Sequence, residues 1–489
     1  MVEIKLKDNE KKVIRRTLGM HLTSKDIFRD YIFPSIKEKY YDFLWVDLYA
    51  GKGNLILPML NFIPESKRIK FFFKHLFMFD IQEEMIDKCI ENAESYGIPR
   101  NIAEKNILQY DSLASFPRYL KEKPFPIYHI TNPPYLYLGY IKKHKETQRH
   151  LEYFKDENKG YQDLYQVAMM NDLRNNVKKL IYIIPSNFIF GSSVSNKFRL
   201  DFLKYYDISN MYIFEKKIFK YTGTNICLSF FERKEKPKRQ IVSFRGIKIK
   251  KTKELKNTYY LKPEFKYRAG AEFYEFLMKF KTNKPLIVKY YLQKKEVFNN
   301  RGSFGVDVID TSYYVSNQYK LLKIYLNKDL RDKVKSNFLY IRTVDTGGKG
   351  KRVGVYEIKN DFKVDGIYVS KATYRTSPIQ IFLEPQISYQ DQILLKDFFN
   401  FILEHFREKL DSEFLTTYKY SNSQYTRKYL GLTQVRNLIE TFPILSLNRN
   451  YKEYLRRLIE NKNYLKLKEF IKSFCSNGSK KITCFIENN

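Results

Sequence analysis

The first half of the chain alternates short apolar segments with amphipathic ones, and this pattern constrains the fold more than any other feature. The apolar segments have the length of buried strands and cover residues 43–49, 76–80, 127–131, 180–185, 211–214 and 225–231. Between them, residues 83–96 and 162–175 carry apolar side chains at helical spacing; the first of these faces comprises Met85, Ile86, Cys89, Ile90 and Ala93. Strands this apolar, alternating with helices, predict a doubly wound, Rossmann-like α/β sheet.

The character of the sequence changes at residues 232–256, where lysines, arginines and a proline accumulate. Charged runs with proline commonly mark linkers, so we predict two domains, residues 1–235 and 236–489. A solvated hairpin inside one domain is the alternative interpretation. Beyond this point strands and helices mix without a fixed-period repeat, which predicts an α+β second domain.

Charge narrows the class of partner. The chain has 88 Lys and Arg against 54 Asp and Glu, a net charge of +34, and such a surplus favours a nucleic-acid partner. Its 41 tyrosines and 39 phenylalanines suit base stacking between phosphate contacts, although an AT-rich genome gives the same composition. Four cysteines and six histidines show neither a disulfide framework nor zinc-ligand spacing, so no metal is expected.

The sequence shows neither a membrane-spanning apolar run nor a signal peptide. The first residues, Met-Val-Glu-Ile-Lys-Leu-Lys, are charged where a signal peptide would be apolar. We therefore expect no membrane partner and a cytoplasmic location.

Three acidic residues follow predicted strands. Asp47 precedes a turn with glycines at positions 51 and 53, where a ligand could approach the backbone closely. Asp80 ends the second strand, where a carboxylate can bind ribose hydroxyls. Asp111 follows another short strand and could accept a hydrogen bond from an amine. Taken singly, each has an ordinary structural interpretation, as a plain turn, a helix N-terminal carboxylate and a cap respectively.

The most specific motif is Asn-Pro-Pro-Tyr at residues 132–135, directly after the strand 127–131. Two prolines make the loop rigid and leave backbone carbonyls free to accept hydrogen bonds. An amide side chain, a rigid carbonyl and an aromatic face together can hold a planar amino group. This loop therefore predicts a site that binds a planar amino group and stacks on its ring.

In this order, the motifs resemble those of the N6-adenine DNA methyltransferases of restriction–modification systems, in particular the gamma class. The segment Gly-Met-His-Leu-Thr-Ser at residues 19–24 resembles that family's N-terminal cofactor segment, with serine in place of its proline. Residues 163–165 and 183–187 resemble the segments after the catalytic loop, and Phe219 resembles an aromatic position that holds the target base. The resemblance covers roughly residues 13–232; beyond them it is only architectural.

The resemblance implies a cofactor, a reaction and a partner. The cofactor would be S-adenosyl-L-methionine, bound by Thr23, Asp47, Tyr49, Gly51, Gly53, Asn54, Asp80, Ile81 and Asp111. The catalytic group would be Asn132, Pro133, Pro134, Tyr135 and Phe219. The reaction would methylate N6 of an adenine flipped out of double-stranded DNA, with residues 236–489 as the basic target-recognition domain. A cognate restriction endonuclease and a monomeric state are further expectations.

Several alternatives stay open at this point. The acceptor could be cytosine N4, RNA or a protein amide, and the chain could be a non-catalytic DNA-binding specificity component. Asp345, Glu357 and Lys359 have the spacing of a metal-dependent nuclease, although Glu-x-Lys recurs by chance in so lysine-rich a chain. Residues 346–352 and 418–427 combine basic, amide and aromatic groups and are candidates for DNA contact.

Overall fold

The computed structural model describes residues 23–191, 193–216, 218–219, 225–345, 352–373, 377–420 and 426–475. The chain forms two compact units. The first ends at Ala269 and the second begins at Gly270, apart from a short stretch from Lys419 that groups with the first.

Within the described residues, the first unit is built on a nine-stranded sheet in the order β3-β2-β1-β4-β5-β7-β6-β8-β9. Its strands are β1 (Leu44–Asp47), β2 (Leu76–Asp80), β3 (Ile107–Gln109), β4 (Ile127–Thr131), β5 (Lys179–Pro185), β6 (Tyr206–Phe214), β7 (Ile226–Arg233), β8 (Val242–Ile249) and β9 (Glu254–Leu261). The first five run parallel, and β7 is antiparallel between β5 and β6. The predicted α/β sheet is confirmed, and each predicted strand corresponds to a strand found here.

Helices cover both faces of this sheet's parallel part, which explains why its strands are apolar throughout. Every residue of β1, β2 and β4 is buried, as expected for parallel strands covered on two sides. The α-helices of this unit are α1 (Lys25–Ile27), α2 (Phe33–Ile36), α3 (Glu65–His75), α4 (Glu83–Glu94), α5 (Arg100–Asn106), α6 (Leu138–Ile141), α7 (Leu164–Arg174), α8 (Asn187–Phe190) and α9 (Ser193–Phe202). A π-helix spans Phe28–Ile32, and 3-10 helices span Tyr40–Asp42, Leu57–Phe62, Arg118–Glu122, Lys145–Phe154, Asp156–Asn158 and Pro263–Phe265. The apolar face predicted for α4 is buried at all five positions.

The strand order places a topological switch point between β1 and β4. From β1 the chain moves outward to β2 and β3, then returns to the other side of β1 to form β4 and β5. In open α/β sheets, ligands bind beyond the carboxyl ends of the strands at such a point. Asp47 ends β1, Asp80 ends β2 and Asn132 follows β4, so the predicted motifs meet at this edge.

The expected domain boundary at residues 235 and 236 falls inside the nine-stranded sheet. β8 pairs in parallel with β6 along five residues, and β9 pairs with β8 in antiparallel register. The charged run at residues 232–256 therefore contains the end of β7, all of β8 and the start of β9, so it forms part of a hairpin inside one unit, which is the alternative that the sequence left open. The compact unit extends to Ala269 instead.

The second unit mixes strands and helices, as predicted. Its strands are β10 (Ile287–Tyr290), β11 (Leu292–Gln293), β12 (Arg301–Val315), β13 (Gln318–Leu326), β14 (Leu339–Arg342), β15 (Val344–Asp345), β16 (Gly354–Glu357), β17 (Gly366–Val369), β18 (Ile379–Glu384), β19 (Thr416–Tyr420) and β20 (Thr426–Tyr429). They form sheets in the orders β10-β18-β14-β16, β11-β17-β12-β13 and β15-β20-β19. The helices are α10 (Ala271–Lys279), α11 (Lys294–Asn299), α12 (Lys328–Ser336), α13 (Ile358–Phe362), α14 (Tyr389–Lys409), α15 (Leu432–Ile439), α16 (Arg449–Glu460) and α17 (Tyr464–Lys472), with a 3-10 helix at Ile444–Ser446.

The sheet topology predicts how truncations behave. A chain ending at residue 235 lacks β8 and β9, so the long strand β6 keeps β7 on one side but loses β8 on the other and presents an unpaired apolar edge. We expect that chain to aggregate and one ending at residue 269 to stay dispersed, as measured by light scattering after purification. Equal dispersity of the two would contradict the assignment of β8 and β9 to this unit.

Candidate active site

Asp47 links the two strands at the switch point. Its Oδ1 accepts hydrogen bonds from the Tyr49 amide at 3.0 Å and from Thr131 Oγ1 at 2.6 Å. The side chain is buried, and this burial raises the pKa of Asp47 to about 6 although the bond from Thr131 opposes the shift. The end of β1 is therefore tied to the residue that precedes Asn132.

Asp80 holds the glycine turn. Its Oδ2 accepts from the Gly51 amide at 2.9 Å and its Oδ1 from the Gln82 amide at 3.0 Å, while burial raises the pKa of the carboxyl. Gly51 and Gly53 both adopt positive φ, at 53° and 74°. A Cβ on Gly53 would lie 2.6 Å from Leu57 Cδ1, so this glycine permits packing beneath the turn rather than access to a ligand.

In the Asn132–Tyr135 loop, both the nitrogen and the oxygen of the Asn132 side-chain amide form hydrogen bonds. Asn132 Nδ2 donates to Thr23 Oγ1 at 2.9 Å, and the Tyr135 hydroxyl donates to Asn132 Oδ1. The same hydroxyl lies 2.6 Å from the carbonyl oxygen of Ile183 in the adjacent strand β5. These contacts set the orientation of the Asn132 side-chain amide, because its nitrogen donates to one partner and its oxygen accepts from the other.

A second carboxylate supports the loop from behind. Asp163 Oδ1 accepts from the Leu136 amide at 3.0 Å, and burial raises the pKa of Asp163 to about 7. This aspartate belongs to the Asp-Leu-Tyr segment that resembles a family motif, and the structure shows what it contacts.

Asp111 has a partner that the sequence did not reveal. Its Oδ1 accepts from the Leu113 and Ala114 amides at 3.1 Å, which is the cap interpretation. Its Oδ2 accepts from the Tyr153 hydroxyl at 2.8 Å. Tyr153 belongs to the 3-10 helix Lys145–Phe154, and no motif at that position marks it for this role.

A buried network lies beneath the β1 turn. His129 Nε2 accepts from the Leu48 amide at 3.2 Å, so the proton is on Nδ1, which donates to Asp172 Oδ2 at 2.6 Å. The Tyr182 hydroxyl donates to the same oxygen at 2.6 Å. This network holds the backbone amide of Leu48, the residue after Asp47, although Asp172 Oδ1 is buried without a hydrogen-bond partner among the described residues.

A cavity of about 440 Å³ lies at the carboxyl edge of the sheet, where the loops after β1, β2 and β4 meet. Of the predicted residues, its lining includes Thr23, Asp47, Tyr49, Gly51, Asn54, Asp80, Ile81, Asp111, Asn132 and Pro134. It also includes residues that the sequence did not single out, namely Lys52, Gln82, Tyr110, Arg149, His150, Glu152 and Tyr153. Gly53, Pro133, Tyr135 and Phe219 do not line it; Tyr135 and Phe219 are buried, at 8% and 5% exposure.

The cavity suits a cationic ligand. Asp47 and Asp80 both face it, and among the described residues neither forms an ion pair with a lysine or arginine. Ile81 adds an apolar side chain that is 50% exposed at the cavity. Buried carboxylates without a cation are costly, and a ligand that carries positive charge and hydroxyls would offset that cost.

Other predicted residues lie apart from this site or outside the described residues. Glu357 forms a 2.8 Å ion pair with Lys396, and Lys359 lies 3.9 Å from Asp365, so both side chains of the proposed nuclease pair are engaged elsewhere. The candidate DNA segments fall largely outside the described residues, as do residues 19–22 and most neighbours of Phe219. In the part of the chain that is described, no group of three or more His, Cys, Asp or Glu side chains could hold a metal. None of the described helices has the length and apolar character to cross a membrane.

With this geometry in place, the chain was compared with known proteins. Residues 10–219 match the Eco57I restriction-modification methylase family. The match spans the switch-point site and confirms the resemblance to restriction–modification methyltransferases predicted from the motifs. No curated protein sequence matches the chain.

Solved structures show similar folds at low identity. The Type IIL restriction-modification enzyme MmeI in complex with DNA has a TM-score of 0.49 at 11% identity, covering 94% of this chain and 73% of that one. A modification subunit of a putative type I restriction enzyme from Vibrio vulnificus YJ016 has a TM-score of 0.35 at 13% identity, covering 51% and 52%. A putative class I S-adenosylmethionine-dependent methyltransferase from Listeria monocytogenes has a TM-score of 0.30 at 16% identity, covering 45% and 63%.

The lengths of the matched proteins differ from this one. This chain spans 31% of the DrdV chain in its DNA complex and about half of two type I modification subunits. All of these TM-scores are below 0.5.

The buried Asp47 predicts a stability cost with a defined pH dependence. Because its pKa is raised in the folded state, the stability it contributes is present below pH 4 and is lost as pH rises through about 6. Asp47→Asn keeps both hydrogen-bond acceptances and removes the charge, so it should stabilise the protein above pH 6 by on the order of 1 to 3 kcal/mol. Denaturant unfolding at pH 5 and pH 8 measures this difference.

The control is Asp87→Asn, which removes an exposed carboxylate from α4. It should show no comparable gain. A gain from Asp47→Asn that is equal at both pH values would contradict the proposed cause.

Proposed function

We propose that this protein is a DNA methyltransferase that transfers a methyl group from S-adenosyl-L-methionine to N6 of adenine in duplex DNA. The observation that carries the proposal is the placement of the Asn132–Tyr135 loop at the same cavity as Asp47, Asp80 and Asp111. The family match over residues 10–219 supports it independently. We infer the gamma class from the order of the motifs along the chain.

The residues present fit the cofactor. Asp47 and the glycine turn, with Thr23, Tyr49 and Asn54 beside them, would hold its methionine part, whose charge complements the unpaired carboxylate. Asp80 would bind the ribose hydroxyls, Asp111 the adenine amine, and Ile81 would pack on the adenine ring. S-adenosyl-L-methionine bound here would supply an electrophilic methyl group attached to a sulfonium.

The Asn132 loop would activate the target amine. Adenine N6 is a weak nucleophile because its lone pair is delocalised into the ring. Asn132 Oδ1 and the Pro133 carbonyl would each accept a hydrogen bond from one of the two N6 N–H groups. These hydrogen bonds would localise the lone pair on the nitrogen. The N6 nitrogen would form a bond to the methyl carbon while the carbon–sulfur bond breaks and its electron pair stays on sulfur, and one N6 proton would pass to solvent water. Positioning and electrostatics, without covalent catalysis, carry this step.

Two aromatic residues that are buried and do not line the cavity in this structure would hold the flipped base. Inside a duplex N6 cannot reach a cofactor in this cavity, so the target base must leave the stack. We propose Tyr135 and Phe219 as its stacking partners. In the structure the Tyr135 hydroxyl also contacts Asn132 Oδ1, so Tyr135 would position the acceptor as well.

The second unit would provide target recognition. A net charge of +34 favours a long polyanion over a protein substrate. A cognate endonuclease, a monomeric state and a cytoplasmic location stay predictions.

The experiment that tests the function uses S-adenosyl-L-methionine labelled in its methyl group with unmethylated genomic DNA. After digestion to nucleosides, label in N6-methyladenosine is the expected result. Label in N4-methylcytosine would overturn the target base alone. Label found only with RNA or protein would overturn DNA as substrate, and absence of cofactor binding would overturn the enzyme assignment.

Asn132→Ala separates the two halves of the site. We expect loss of methyl transfer with cofactor affinity largely retained, because Asn132 faces the target amine and its contact to Thr23 is one of several around the cofactor. Equilibrium binding of the cofactor and label transfer to DNA are measured on the same preparation. Parallel loss of both quantities would refute the role of Asn132.

Tyr153→Phe tests the partner of Asp111. Removing the hydroxyl frees Asp111 Oδ2 from its 2.8 Å hydrogen bond, so we expect cofactor affinity to fall by roughly threefold to tenfold. Tyr137→Phe is the matched control, because it removes a hydroxyl from an exposed tyrosine that follows the Asn132–Tyr135 loop. Equal affinities of the two variants would show that Tyr153 does not position Asp111.

A further inference from the structure

We propose that the tip of the β12–β13 hairpin, residues 313–320, forms a contact surface for duplex DNA together with the neighbouring Lys371. This inference rests on the proposed function, since it takes DNA as the substrate, and it assigns part of the second unit's surface to that partner. The tip shares no residue with either segment that the sequence suggested for DNA contact.

The tip exposes side chains that are ordinarily covered. Tyr313, Tyr314 and Val315 are 41%, 53% and 72% exposed and follow one another in the chain. Contiguous exposed apolar groups mark interaction surfaces more often than scattered ones do. The turn itself, Ser316 and Asn317, has φ of 50° and 65°, which is the geometry of a tight two-residue hairpin turn.

Two lysines lie against the first of these rings. Lys371 Nζ is 4.1 Å and Lys320 Nζ is 5.6 Å from the centroid of Tyr313. Within the described residues, neither lysine forms an ion pair. Asp310, the residue opposite Lys320 in the ladder, is buried and accepts two backbone amide hydrogen bonds at 2.9 and 3.3 Å. The tip therefore presents positive charge beside aromatic faces.

The hairpin behind the tip is firmly packed. Val306 and Val308 of β12 are buried in one core cluster with Leu326 of β13. At the tip, the rings of Tyr314 and Tyr319 lie 4.6 Å apart, and the Tyr319 hydroxyl donates to the Ser377 carbonyl at 2.9 Å. A surface held in place before binding loses little conformational entropy when it binds.

Charge decides which occupant the tip fits. A second copy of the chain would bring the same lysines together in a symmetric contact, and like charges oppose that arrangement. DNA offers phosphates for the two ammonium groups and sugar and base surfaces for Tyr314 and Val315. The net charge of +34 adds a long-range attraction for the same partner.

The first test measures how DNA affinity depends on salt. Log affinity falls as log salt rises, and Lys320→Gln with Lys371→Gln should make this fall less steep. The magnitude of the slope should drop by about 2, since each lost phosphate contact removes about 0.9. The probe is sheared, unmethylated genomic DNA bound by full-length protein. Lys466→Gln with Lys472→Gln makes the same charge change on exposed positions of α17 and should leave the slope unchanged.

The second test removes the apolar contact. Tyr314→Ala with Val315→Ser should weaken DNA binding roughly tenfold, the size of a lost aromatic contact. Tyr314→Phe keeps the ring and should bind normally, which separates the contact from a folding defect. Tyr389→Ala, a similarly exposed tyrosine at 57%, is the matched control and should also bind normally.

Each outcome bears on the inference. Variants of the tip that bind DNA as their controls do would overturn it, even where the wild-type protein methylates DNA. Loss of self-association in the tip variants, seen by sedimentation with DNA affinity intact, would overturn it in favour of a contact between copies. A wild-type protein that binds DNA through this tip but transfers no methyl group would instead overturn the proposed function alone.

Discussion

The hydrogen bond from Thr131 Oγ1 to Asp47 Oδ1 ties together the two strands between which the sheet reverses its order. Asp47 begins the turn that carries the glycines, and Thr131 immediately precedes Asn132. One buried 2.6 Å contact thus fixes the proposed cofactor side of the site to the proposed target side. A reaction that depends on positioning needs this kind of rigid connection, because small misplacements of the reacting groups are costly.

The strands and their acidic ends could be predicted from sequence because parallel strands buried on both faces are continuous apolar runs. Asp47, Asp80 and Asn132 each end or follow such a run, so local pattern and sheet topology give the same answer. The bond between Tyr153 and Asp111 joins residues 42 positions apart, and no local pattern encodes it. The contact of Asn132 with Thr23 spans 109 positions, and there only the resemblance to a family indicated Thr23.

The sequence also did not indicate that the first compact unit extends to Ala269, and the reason is again physical. The edge strand β9 alternates exposed and buried residues only near its end, and its exposed positions are mostly polar or charged, including Glu254 and Lys256, as edge strands commonly are. From sequence, such a strand and a charged linker are hard to distinguish. Its assignment requires the backbone pairing with β8, which no pattern of charges reveals.

Burial of carboxylates is the recurrent cost of this site. The pKa values of Asp47, Asp80 and Asp163 are all raised, by desolvation above all other causes. Asp163 accepts a hydrogen bond from the Leu136 amide and does not line the cavity. Asp47 and Asp80 accept backbone hydrogen bonds too, but they also line the cavity. A folded protein retains such groups where a ligand offsets their cost, which is why these carboxylates argue for a cationic cofactor.

A site of this kind recognises an amino group and carries no information on the surrounding base sequence. Asn132 Oδ1 and the Pro133 carbonyl would accept from any suitably placed amine, so sequence recognition must come from elsewhere in the chain. The hairpin tip offers lysines and aromatic faces, groups that bind phosphates and ring surfaces, and its turn also exposes the amide side chains of Asn317 and Gln318. On these proposals the lysines and aromatic rings of the tip would position the duplex, and Asn317 and Gln318 are side chains of the type that can read base edges.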